Sequence, residues 1–187
     1  SYTKHTTPLI SAIEDGDVYW VHRLLNSGAD PNLRIDVPYT TGPKPPLWFA
    51  NRRGNTEIAV ALLEKGADMK DSGFARLSDN MANAIIAGGR MEIDFTGTDL
   101  WDMYNRWEPL NWRNIMQHVK HIIIPGPLHG GQVDHLARFK VQQILERRGD
   151  VRLALGNLPK ELTAHISNFD TCRLSGSGGE EIMERVR

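Results

Sequence analysis

Cysteine is nearly missing from this chain of 187 residues: Cys172 stands alone. That excludes an internal disulfide framework and any zinc or iron–sulfur site built from several thiolates of this chain. Long apolar runs are missing too. The longest is a few residues, as at Ile122-Ile123-Ile124, against the roughly 20 needed to span a bilayer, so no membrane partner is expected. Neither sign of charge dominates, since 22 Lys+Arg face 23 Asp+Glu for a net charge of −1. Such a balance argues against binding nucleic acid chiefly through phosphate neutralisation. A lone thiol fits a reducing compartment, hence a cytoplasmic location. Ser1-Tyr2-Thr3-Lys4-His5 has no basic-then-apolar secretory pattern, although a start without Met carries little weight.

What is present, 40% apolar and 24% charged residues, suffices for one compact domain or a short repeat array. The chain then repeats itself. Pro8-Leu9-Ile10-Ser11-Ala12, Gly16 and Leu24-Leu25-Asn26-Ser27-Gly28-Ala29-Asp30 return as Pro46-Leu47-Trp48-Phe49-Ala50, Gly54 and Leu62-Leu63-Glu64-Lys65-Gly66-Ala67-Asp68. Thr7 is suited to cap a helix with its hydroxyl, and Pro8 fits the first helical position, where a missing N–H is harmless. Ala12 and Ala50 are small where helices must approach, and Gly16 and Gly54 suit a sharp reversal. Trp20, Val21, Leu24 and Leu25 then predict one buried stripe on an outer helix, as do Ile58, Leu62 and Leu63 in the second copy. Gly28 and Gly66 end those helices.

The unit resembles an ankyrin repeat, whose pattern is a Thr-Pro-Leu-His start, paired alanines, a central Gly, a Leu-Leu pair and a Gly-Ala-Asp end. Thr7-Pro8-Leu9 matches the start. The resemblance implies an all-α fold, an ankyrin-repeat solenoid of stacked helix-turn-helix units with a degenerate helical C-terminal cap. The copies lie 38 residues apart at Leu9 and Leu47, against roughly 33 for the family unit. The excess falls in Leu33 to Lys44, where ankyrin repeats carry the finger joining one repeat to the next. Met81, Ala84 and Gly88 keep the spacing at an offset of 34, predicting a third inner helix over 77–87, but no Leu-Leu follows. Residues 1–95 thus form the repeats. Residues 96–150 are a helical extension or degenerate repeats, and 151–187 a cap or truncated F-box-like segment with a flexible tail.

Within the extension, Leu100, Tyr104 and Trp107 share one helical face, and Pro109 separates them from a second helix with Ile115, Val119 and Ile122 aligned. Ile124 to Gly131 is a loop. A helix from Val133 to Arg148 follows, with Val141, Ile144 and Leu145 imitating an outer helix that ends at Gly149-Asp150. Leu158-Pro159-Lys160-Glu161-Leu162, with Ile166 and Phe169 at helical spacing, resembles the opening of an F-box. That resemblance implies docking of a cullin ligase adaptor through Leu158, Pro159, Leu162, Ile166 and Phe169; the alternative is that these side chains only cap the stack. Ankyrin arrays with a shortened F-box are a type found in poxviruses and intracellular bacteria, which would make the chain an effector in host cytoplasm. Leu174 to Gly179 departs from the type, being flexible in composition.

No catalytic constellation emerges, so the chain is read as a non-enzyme with no cofactor. His118, His121, His129 and His135 show no zinc-site spacing, and no metal is expected; an unrecognised helical enzyme would rest on these histidines alone. Cys172 fits a small buried hydrophobe. Gly126-Pro127-Leu128-His129-Gly130-Gly131 lacks the Gly-Lys-Ser/Thr of a phosphate loop. Trp101, Tyr104, Trp107 and Trp112 are read as core rather than as a platform for bases. The expected function is binding of a protein partner on the concave strip of inner helices and fingers. By repeat position the strip contains Ser11, Glu14 and Asp15, then Phe49, Arg52 and Arg53, with Arg34, Asp36, Tyr39 and Lys44 from the finger. Trp48 replaces the family's histidine, whose structural hydrogen bond implies burial, leaving Phe49 as the exposed anchor.

Overall fold

The computed structural model describes residues 6–74, 78–99, 115–128, 130–155 and 171–187. The chain forms two compact units, Ser1–Trp107 and Glu108–Arg187.

The N-terminal unit opens with α1 (Pro8–Asp15), begun by Pro8 and capped by Thr7, whose Oγ1 accepts from the Ile10 N–H at 3.1 Å. Gly16 stops it in the left-handed conformation, φ 74°, which a residue without Cβ adopts freely. The outer helix α2 (Val18–Asn26) is capped by Asp17. The pattern returns in α3 (Pro46–Arg53), ended by Gly54, and α4 (Thr56–Glu64), capped by Asn55. Helix α1 packs on α2 and α3, α3 on α4, and α2 on α4. The two copies are therefore helical hairpins laid side by side, and Leu9, Ile10, Ile13, Leu47, Ala50, Ile58, Leu62 and Leu63 are buried between them.

Two stripes expected to match do not. Ile58, Leu62 and Leu63 are buried, whereas Trp20, at the place of Ile58, is 49% exposed and only Val21 and Leu25 of α2 are fully enclosed. Helix α4 is flanked by α2 and by α5 (Asp79–Ala87), while α2 has a repeat on one side alone among the described residues. Helix α5, capped by the Ser78 hydroxyl, is the expected third inner helix and covers the open side of α4. Among the described residues the next element is not an outer helix but β2 (Glu92–Asp94), and a short parallel pair joins β1 (Gly73–Phe74) to β3 (Thr98–Asp99).

The C-terminal unit corrects the all-α expectation. Strand β4 (His121–Ile123), helix α6 (Gly130–Leu155) and strand β5 (Arg173–Ser175) follow in order, with β4 and β5 parallel and Ile122 opposite Leu174. Parallel neighbours require such a crossover, and a helix supplies it. Ile122, expected on a helix with Ile115 and Val119, instead lies in a β-branched run that favours strand. Helix α6 runs through residues 149–150, where an end and a segment boundary were expected; one internal glycine costs about 1 kcal/mol and need not stop a long helix. The segment 176–179, expected to be a flexible tail, opens α7 (Gly176–Val186), which packs on α6 and β5. Its glycines serve close packing: a Cβ on Gly178 would sit 2.6 Å from the Pro125 carbonyl oxygen.

Candidate functional site

The strip residues divide into those that build the scaffold and those left at the surface. Phe49 is 4% exposed, which overturns its role as exposed anchor. Helix α3 is enclosed by α1, α4 and β1, and at ~100° per residue its neighbour Trp48 takes the outer position. Trp48 is half-buried, packs edge-on against Phe49 with centroids 5.0 Å apart, and lies against Gly73, where any Cβ would fall 2.8 Å from its Cδ1. On its other side the Arg52 guanidinium carbon is 5.2 Å from the indole centroid.

The finger is a hairpin as expected, closed by Ile35 N–H donating to the Lys44 carbonyl at 3.1 Å and the reverse bond at 2.8 Å. Tyr39 stands fully exposed at its tip with φ 63°. Arg34 is not free for a partner: Nη1 meets Asp71 Oδ2 at 2.7 Å and Nη2 donates to the Lys70 carbonyl at 3.1 Å, pinning the finger to the following loop. Lys44 turns its Nζ back onto the Thr41 carbonyl at 2.9 Å. Ser11 and Glu14 are half-buried, and Glu14 has a bonding partner. Asp15, Asp36, Tyr39, Arg52 and Arg53 are exposed. Beside the two arginines a cleft of about 360 Å³ is lined by Asn51, Arg52, Arg53, Asn55, Thr56 and Met81.

Sequence reading missed the Trp48–Arg52 stack, although its four-residue spacing on α3 was a usable signal. It also missed a second exposed group on α2, where the Arg23 guanidinium lies 5.8 Å from the Tyr19 ring and 5.4 Å from the Trp20 ring.

In the C-terminal unit Cys172 is buried, as a small hydrophobe would be. Lys140, also buried, donates to Thr171 Oγ1 at 2.8 Å, Gln143 Oε1 at 3.3 Å and the Cys172 carbonyl. Burial pulls its ammonium from 10.5 down to about 8, against the influence of Cys172. Burial likewise pushes the Cys172 thiol from 9.0 up to about 11, against Lys140, which keeps it protonated and unreactive near neutral pH. His121 Nε2 and Ser175 Oγ share a hydrogen bond of 2.7 Å between the paired strands. Among the described residues no group of three or more His, Cys, Asp or Glu is placed to hold a metal ion. No described helix is long and apolar enough to cross a membrane. His129, the aromatic residues of 101–112 and the F-box-like residues Leu158, Pro159, Leu162, Ile166 and Phe169 lie outside the described residues.

Residues 4–36 match the ankyrin repeat family, a span that takes in α1, α2 and the start of the finger. Ankyrin repeats are generally protein–protein interaction modules without catalytic activity. No solved structure matches the chain. Nothing in these comparisons supports the F-box resemblance of the C-terminal segment or a cullin adaptor as partner.

Proposed function

We propose that the face of the N-terminal unit formed by α1, α3 and the finger holds a protein partner, and that the chain acts as a binding module. One observation carries the reading. Asp15, Asp36, Tyr39, Arg52 and Arg53 project from one helical layer and its finger, and apart from the stack of Arg52 on Trp48 their side chains have no partner among the described residues. The apolar sides of the helices beneath are meanwhile buried. Tyr, Trp and Arg are the side chains that most often dominate interface energy, about 2 kcal/mol or more each when central.

Replacing Tyr39, Arg52 and Arg53 together with Ala tests the proposal. Capture of a cellular protein by the intact chain should fall at least about ten-fold, on the order of the loss of one hot-spot residue, with the helical circular dichroism spectrum unchanged. Undiminished capture by a folded triple variant would make these residues an ordinary solvated face.

A further inference from the structure

The two repeats preserve their buried positions and reverse their surface charge. Leu9 corresponds to Leu47 and Ala12 to Ala50, but Glu14 and Asp15, which end α1, correspond to Arg52 and Arg53, which end α3. Asp15, Arg52 and Arg53 are exposed, and none forms an ion pair with a described residue. Arg34 shows the contrasting case on the same unit, its charge spent on Asp71 at 2.7 Å. Helix α1 packs directly on α3, so the acidic and basic ends belong to neighbouring helices, whose axes lie about 8–10 Å apart in such packing.

The basic end is also organised. The Arg52 guanidinium is held over the Trp48 ring, and stacking of this kind leaves the N–H fork available for a carboxylate while limiting the freedom lost on binding. The adjoining cleft has Asn51, Arg53, Asn55 and Thr56 on its walls and no carboxylate among its described lining residues. A polyanion such as nucleic acid would meet Asp15 on the next helix, and a uniformly basic peptide would meet the arginines.

We infer that the strip selects a protein segment of mixed charge, with an acidic side chain seated at Arg52 and Arg53 and a basic side chain about 10 Å away at Asp15, a separation of three residues of extended chain at about 3.3 Å each. This rests on the reading of the strip as a protein-binding face and adds the partner's chemistry and register.

Three labelled peptides titrated against the intact chain by fluorescence anisotropy test it: Glu-Glu-Ser-Gly-Lys-Lys, the same composition rearranged as Glu-Lys-Ser-Gly-Lys-Glu so that no opposite charges stand three residues apart, and Glu-Glu-Ser-Gly-Glu-Glu. The first should bind about five-fold tighter than either control, the scale of a few exposed ion pairs. R52E/R53E should abolish that preference, and the milder R52Q/R53Q should reduce it without disturbing the fold. Equal affinity for the three peptides, tightest binding of the all-acidic one, or a preference that survives R52E/R53E would overturn the inference. A photo-cross-linker at Ser11 separates its failure from that of the parent reading. A cellular protein cross-linked there with equal yield in R52Q/R53Q would remove the charge rule and leave the binding face standing. No adduct at that position would remove both.

Discussion

Asn32 bridges the two repeats, its Oδ1 accepting from the Asp68 N–H at 2.7 Å while its Nδ2 donates to the Gly66 carbonyl at 3.1 Å. One side chain at the base of the finger thus satisfies both a donor and an acceptor at the end of the following outer helix. The Gly66 carbonyl also accepts from Arg90 Nε at 2.8 Å, so in Asn32→Ala the loss falls mainly on the Asp68 N–H. That variant should lose about 1–2 kcal/mol of stability, measured by urea denaturation followed through the helical signal. An unchanged midpoint would show that water replaces the bridge without loss.

Gly73 and Trp48 make a second such pair. Gly73→Ala combines a φ of +76° with a Cβ against the indole, whereas Gly42, at φ +71°, has nothing within 4 Å of its Cβ direction. Gly42→Ala should therefore report left-handed strain alone, about 1 kcal/mol. Gly73→Ala should cost more and shift the Trp48 indole N–H resonance in an NMR spectrum. Equal cost at both glycines and an unmoved indole would contradict the packing described here.

The unequal outer helices give a paired prediction. Ile58→Ala should destabilise the chain by about 2–5 kcal/mol, because its side chain is fully enclosed. Trp20→Ala, at the equivalent position, should stay within about 1 kcal/mol, the value of its exposed contact with Arg23. Thermal denaturation of the two variants in parallel decides the matter, and a larger loss at Trp20 would mean that α2 is covered by something further.

Stability of the C-terminal unit should vary with pH through Lys140 and Cys172. The folded Lys140 titrates near 8 rather than 10.5, so above pH 8 the unfolded chain binds more protons at this site and stability rises with pH up to 10.5. Cys172 works in the opposite sense: folded, it keeps its proton until about 11 rather than 9.0, so stability falls over that interval. Together they predict a rise between pH 8 and 9, little change to 10.5, and a fall beyond. Chemical denaturation across this range should show the curve in the intact protein and lose the first rise in Lys140→Met. A rise that persists in Lys140→Met would assign it to another group.

Much of the N-terminal unit was legible because its signals are local and doubled. Thr7, Pro8 and Gly16 each act within one helical turn, and the second copy confirmed the register of the first. The finger and the third inner helix followed from the repeat offset, although the helix expected from residue 77 begins at Asp79 behind the Ser78 cap. Phe49 and Trp48 were exchanged because Trp48 stands at the position of the family's histidine, whereas the packing of α3 against α1, α4 and β1 turns Phe49 inward, a relation that involves residues far along the chain. The parallel strands were missed for a related reason. Each is three residues long, too short for a period to register, and their pairing joins residues 121–123 to 173–175, a relation no local pattern encodes. Lys140 gave no sign of burial in the sequence, since its acceptors Thr171 and the Cys172 carbonyl lie more than thirty residues away.

The binding face itself is tested most directly by site-specific cross-linking in cells. A benzoylphenylalanine at Tyr39, on the finger tip, should give a covalent adduct with a cellular protein, and one at Glu64, exposed on the outer helix α4, should give none. An adduct at Glu64 without one at Tyr39 would contradict the assignment of the α1, α3 and finger face as the site where a partner binds.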